Sequence, residues 1–190
     1  MSLTNSTMLK LGTKAPSFSL PDVVAGNIIS GKDFSDKKAL LVMFICRHCP
    51  YVVHVQDELA RIGKDYRDSN LGIVAISSND PGYDSDDSSG RLKEQAEELG
   101  FSFPYLFDET QEVAKKFTAA CTPDFFLFDK DQKLVYRGQL DDSRPRMGEA
   151  NGADLRAAID VVLEGKEVDK DQKPSSGCNI KWKSGNEPEY

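Results

Sequence analysis

The order of hydrophobic patterns along the chain predicts an α/β domain: a mixed central sheet flanked by helices on both faces, with an N-terminal β-hairpin extension and a C-terminal tail. Three observations carry that prediction. Residues 39–77 read as strand, helix, strand; residues 92–117 continue as helix, strand, helix; and residues 125–137 hold two strands joined by DKDQK, the best hairpin signal in the chain.

Taken in order, residues 1–14 are polar and patternless, and APSFSLPDVVAGNIISGKDF then offers two short apolar runs around a Gly-Asn turn, a β-hairpin. Residues 39–45 (ALLVMFI) form an unbroken apolar run of strand length, suited to a central strand buried on both faces. In the next segment Val52, Val55, Leu59, Ile62 and Tyr66 recur at helical spacing while Asp57, Glu58, Arg61 and Lys64 fill the polar side, an amphipathic helix. Residues 71–77 (LGIVAIS) are a second β-rich run. SNDPGYDSDDSSG is a loop by composition, and its Asp80, Asp84, Asp86 and Asp87 do not have EF-hand spacing, so a solvated acidic loop is expected there. Leu92, Ala96 and Leu99 mark a helix that stops at Gly100, the residue type best able to adopt a left-handed cap. A short strand at 105–107 follows, and Asp108 with Gln111 resembles a capping box opening a helix that buries Val113 and Phe117. The last helix presents Leu155, Ile159 and Val162 and ends at Gly165. Residues 166–190 are expected to be a tail packed on the domain through Cys178, Ile180 and Trp182.

With 190 residues and 39% hydrophobic content, the chain has the apolar material for one sizeable core. Its formal charge of -7 offers no general positive field, which argues against nucleic acid and membrane surfaces as partners. The longest apolar run, residues 39–46, falls well short of the ~20 residues that span a bilayer. The N-terminus lacks the pattern of a secretory signal, so a cytoplasmic location is expected. Four cysteines are too few for a disulfide scaffold, and in a reducing compartment a close pair points to catalysis or to metal.

That pair is Cys46 and Cys49, in the segment CRHCP between the buried strand and the amphipathic helix. Proline is tolerated at the first helical position and costs about 3 kcal/mol or more inside a helix, so Pro50 should open the helix and Cys49 should be its N-cap. A sulfur there faces unsatisfied backbone N–H groups and the positive end of the helix dipole, which favour thiolate. Arg47 or His48 could add positive charge there, and His48 is equally open to a role facing water. Cys49 is therefore the candidate nucleophile and Cys46 the candidate resolving thiol. Two buried structural cysteines, or half of a zinc site, are the competing readings, the second weakened by the lack of another close ligand pair. His54, off the apolar stripe and near Asp57 and Glu58, reads as a solvated surface residue.

With strand, CRHCP and helix in place, and with CTPDFFLFDKDQKLVYRG later on, the chain resembles the thioredoxin superfamily and, within it, the peroxiredoxin-like branch of the alkyl hydroperoxide reductase and thiol-specific antioxidant (AhpC/TSA) family. The resemblance covers residues 10–165, from GTKAPSFSLPD through the last helix, and extends to the tail segment PSSGCNIKWK. It implies a thioredoxin-like fold with Thr122-Pro123 at the position where a cis-proline lies against the redox cysteine and exposes a backbone edge to substrate. It also places Cys49 where the family has its attacking cysteine. The sequence departs from the pattern at three points: Val52 stands where thioredoxins have the resolving cysteine, Val42 and Cys46 replace the Pro and Thr that precede a peroxidatic cysteine, and Pro123 stands where peroxiredoxins carry an Arg.

Three readings follow. In the first, Cys49 attacks a protein disulfide and Cys46 resolves it; in the second, Cys49 attacks peroxide and condenses with Cys46 or Cys178, with Arg47 or Arg137 replacing the missing Arg. The third is a metal-binding module using Cys46 and Cys49. For the first two, no cofactor is expected, a thiol reductant such as thioredoxin or glutathione would restore the enzyme, and Cys178 would act within a subunit or across a homodimer. Cys121, two residues before Pro123, is open to a structural or a redox role.

Overall fold

The computed structural model describes residues 3–190. In chain order the elements are β1 (Leu3–Asn5), β2 (Ser19–Pro21), β3 (Ile28–Ser30), β4 (Ala39–Phe44), α1 (Pro50–Asp65), β5 (Leu71–Ser77), α2 (Ser89–Leu99), β6 (Tyr105–Phe107), α3 (Glu112–Phe117), β7 (Cys121–Thr122), β8 (Asp124–Asp129), β9 (Leu134–Gly138), α4 (Ala153–Leu163) and β10 (Ser176–Asn179). The central sheet has the order β6-β5-β4-β8-β9. β4, β5 and β6 run parallel, while β8 and β9 are antiparallel additions beside β4. This is the mixed sheet predicted from strand–helix alternation followed by a hairpin.

β4 is buried along its whole length, so its residues divide by the two-residue period of a strand between two apolar layers. Leu41, Met43, Phe125 and Leu127 face α1 and α4 through Val52, Leu59, Ile62, Leu155 and Ile159. Leu40, Val42, Phe44, Phe126 and Phe128 face α3, the N-terminal hairpin and the tail through Phe117, Phe18 and Ile180. Phe117 stands edge-on to Phe44 and to Phe126, with ring centroids 5.4 and 5.6 Å apart. Each such fully buried side chain contributes about 1.5–3 kcal/mol. Together the two layers fix the C-terminal end of β4, from which the CRHCP turn leaves.

The β2–β3 hairpin, the strand at 71–77 and the left-handed cap at Gly100 (φ 65°) are as the sequence predicts. Three expectations need correction. The N-terminal stretch is not patternless: β1 pairs with β10, Leu3 opposite Cys178. There is no capping box at Asp108: Gln111 itself is the N-cap of α3, and Asp108 instead accepts the N–H of Ala114 at 3.0 Å. Glu58 does not lie on a solvated face: it is buried and accepts from Arg61 and from Arg156 of α4, both at 2.6 Å.

Candidate active site

The site begins where β4 ends. Cys49 takes an extended conformation (φ −70°, ψ 122°) as the N-cap of α1, and Pro50 is the first helical residue. Its carbonyl accepts the first helical bond, from the N–H of Val53 at 2.9 Å. The turn is clamped from the acidic loop. Asp87 Oδ1 accepts the backbone N–H of Arg47 at 2.8 Å and of His48 at 3.3 Å, while Oδ2 meets His48 Nδ1 at 2.5 Å and Asn79 Nδ2 at 2.8 Å. Asp87 is thus wholly buried, which corrects the expectation of a solvated loop for this residue. Burial opposes its charge, but His48, Asn79 and the N–H of Arg47 pull its carboxyl below the usual range. The same hydrogen bond to Asp87 raises His48 against the effect of burial.

Two other sequence-selected residues are engaged elsewhere. The Arg47 guanidinium reaches α2, donating to the Arg91 carbonyl at 2.6 Å and pairing with Glu98 at 3.5 Å. Arg137 donates to Gln172 at 2.8 Å. His54 is half-buried rather than solvated and meets Ser143 Oγ at 2.9 Å.

The Thr122–Pro123 peptide is cis and faces the cysteines. Cys46 Sγ lies 3.3 Å from Thr122 Oγ1, and Cys49 Sγ lies 3.2 Å from the Thr122 carbonyl oxygen. Cys178 Sγ stands 2.6 Å from Cys49 Sγ, above the ~2.05 Å of a covalent disulfide. Hydrogen bonds from the Cys178 and Cys46 thiols, helped by the Val52 N–H, hold Cys49 far below the ordinary thiol range, against the cost of burial. The partners shift oppositely: Cys178 rises through its hydrogen bond to Cys49, and Cys46 rises chiefly through burial. One thiolate, on Cys49, is therefore shared among three sulfurs. Cys121 is buried on β7 with its thiol raised by burial, and its sulfur points to the Pro123 carbonyl at 3.6 Å.

The tail brings Cys178 here by strand pairing. β10 lies between β1 and β7, with Cys178 opposite Thr122 and Asn179 opposite Cys121. A Cβ at Gly177 would sit 2.0 Å from the Thr122 carbonyl oxygen, so the two backbones touch where only hydrogen fits. Ser175 Oγ donates to the Pro123 carbonyl at 2.7 Å. Downstream, Gln111 Nε2 donates to the Lys181 carbonyl at 2.9 Å, and the Lys181 N–H donates to Asn79 at 2.9 Å. Sequence reasoning singled out Cys178 but missed the roles that Asp87, Gly177 and Gln111 play at the site, which depend on long-range packing.

As for metal, Cys46, His48 and Asp87 each bring one donor atom within 4.8 Å of the others. Cys49 is not in that cluster, so the residues brought together differ from the Cys46 and Cys49 pair of the alternative metal-binding reading. Among the described residues no helix is long and apolar enough to cross a membrane.

The family model described as the AhpC/TSA family matches residues 11–137. The chain belongs to the AhpC/TSA family. Thiol-disulfide oxidoreductase ResA of Bacillus thuringiensis is 26% identical over 134 residues, 70% of this chain and 71% of the relative. Among solved structures, an uncharacterized conserved protein from Geobacillus kaustophilus superposes with a TM-score of 0.94 at 53% identity, over 96% of this chain and 97% of the other. A hypothetical protein from Sinorhizobium meliloti gives 0.93 at 48% identity, over 96% and 100%. A putative thioredoxin from Neisseria meningitidis, at 23% identity with a TM-score of 0.63 over 80% and 91%, shares the thioredoxin-like fold. This AhpC/TSA chain is accordingly a thiol oxidoreductase.

Proposed function

We propose that the protein is a thiol–disulfide oxidoreductase in which the Cys49 thiolate attacks a disulfide and Cys46 resolves the product. In the first step a Cys49–substrate bond forms, the substrate S–S bond breaks and one substrate thiolate leaves. In the second, Cys46 loses its proton and attacks Cys49; a Cys46–Cys49 disulfide forms and the second substrate thiolate leaves. The substrate gains two electrons and the enzyme loses them. A thiol reductant returns the pair to its starting state.

The observation that carries this reading is the helix-capping Cys49 sulfur, acidified by two neighbouring thiols and set against the cis-proline strand. Disulfide is favoured over peroxide because Arg47 and Arg137 are engaged elsewhere, with α2 and Gln172. A peroxide needs a donor of that kind to polarise its O–O bond.

The test compares turnover of a protein disulfide with turnover of hydrogen peroxide, under one reductant, in the unmutated chain and in Cys49→Ser. Faster turnover of the disulfide, lost in Cys49→Ser, is expected. Equal activity in Cys49→Ser would remove Cys49 from the role of nucleophile, and preferential turnover of peroxide would replace the substrate class.

A further inference from the structure

The edge of β7 at the cis-proline is already occupied, by β10 of the same chain, in antiparallel register and with a cysteine opposite Thr122. An extended polypeptide joining this edge would need the same backbone groups. The strap is tied on both sides of Cys178: upstream by the Ser6 N–H to Ser175 carbonyl bond at 2.9 Å and by Ser175 on Pro123, downstream by the Ile180 N–H on the Ala120 carbonyl at 3.1 Å. Its sulfur sits in contact with the nucleophile. A tail present only to pack the domain has no need of that register.

We propose that β10 is a substrate strand built into the chain, and that Cys178 is a third redox cysteine which exchanges with the Cys46–Cys49 disulfide. The inference rests on Cys49 being the disulfide-attacking thiolate. In the exchange Cys178 gives up its proton and attacks Cys49; a Cys49–Cys178 bond forms, the Cys46–Cys49 bond breaks, and Cys46 leaves as thiolate to take up the proton. No electrons enter or leave, so no further oxidant is required. The electrostatics favour the sequence of events. Cys178 is held protonated mainly by its hydrogen bond to the Cys49 thiolate, and oxidation of Cys49 removes that thiolate. The charge of Lys181, three residues on, then favours the Cys178 thiolate.

The experiment uses oxidised glutathione as the disulfide, with intact mass and non-reducing peptide mapping as readouts. In Cys46→Ser, attack by Cys49 leaves a glutathione adduct that Cys178 is expected to expel. The product should be two hydrogens lighter than the reduced chain, with Cys49 linked to Cys178. Because the two sulfurs are already in contact, adduct loss should be at least about tenfold faster than in Cys46→Ser/Cys178→Ser. In the unmutated chain, mapping should find Cys49 linked to both partners. An adduct on Cys46→Ser as long-lived as on the double variant, or an unmutated chain linked only through Cys46, overturns the relay while leaving the disulfide reading intact. A Cys49 that takes up no glutathione in any variant and forms no linkage brings down the disulfide reading and this inference with it.

Discussion

Cys49 and Cys121 both contact the cis-proline segment, and both are fully buried. Cys121 is an ordinary buried thiol: burial penalises its anion and raises its pKa. Cys49 bears the same penalty yet moves the other way, because two S–H donors and the first turn of α1 are aimed at its sulfur. Inaccessibility does not decide whether a cysteine is inert; the donors that surround the sulfur decide it.

The sharpest way to break this contrast is to remove each sulfur in turn. Cys49→Ser is expected to reduce disulfide exchange by about 10³-fold or more, whereas Cys121→Ala should leave the rate within about threefold. Comparable losses in the two variants would show that the donors around Cys49 do not matter.

The next effect concerns a buried acid whose donors do not offset its burial. Asp124 opens β8 on the sheet face opposite α1; neither carboxylate oxygen has a well-formed hydrogen bond among the described residues, and burial raises its pKa to about 7. Ser6 and the N–H groups of Ala120 and Phe125 counter burial only in part. Because the folded pKa lies above the ordinary 3.8 of an aspartate, the stability this group supplies is complete below about pH 4 and is lost as pH rises through about 7. The full difference is about 4 kcal/mol at 1.36 kcal/mol per pH unit. Urea unfolding of the unmutated chain should show this decline between pH 4 and 8, and Asp124→Asn should lack it. Equal slopes would mean that Asp124 is ionised in the fold.

Asp87 tests the geometry that presents Cys49 rather than its charge. Asp87→Ala leaves the N–H groups of Arg47 and His48 and the side chain of Asn79 without their acceptor, at an expected cost of about 1–3 kcal/mol in denaturant unfolding. The pair with His48 has two pH limits: its contribution fades on the acid side as Asp87 is protonated and on the alkaline side as His48 loses its proton. A variant as stable as the unmutated chain would show that the turn holds itself.

The smallest effect is read as a shift in acidity. Cys178→Ala removes the leading donor to Cys49, so thiolate absorbance near 240 nm should titrate at higher pH than in the unmutated chain. An unchanged midpoint would assign the acidity to the helix and Cys46.

The contrast between these regions also explains what the sequence could reveal. The sheet, the hairpins and the capping position of Cys49 follow from local rules: a fully apolar run, a two-residue period, and a proline that must start a helix. Asp87 obeys no local rule, since five polar neighbours announce a solvated loop and only the arrival of the CRHCP turn buries one of them. Glu58 is of the same kind, its charge made tolerable by Arg156 from a helix almost a hundred residues away. β1 is three residues long and finds its partner at the far end of the chain, beyond the reach of any periodicity. The cysteine in the tail was visible in SSGCN; the strand pairing that carries it to Cys49 was not.

Gly177 has a mechanical consequence. Sliding β10 by one residue along β7 would push the side chain of Ser176 or Cys178 against the Thr122 carbonyl, where a Cβ has 2.0 Å, and would turn the cysteine to the opposite face. The strap therefore has no half-seated positions. It is home, with sulfur on sulfur, or it is away, and the bare hydrogen at residue 177 makes the tail a latch with two settings.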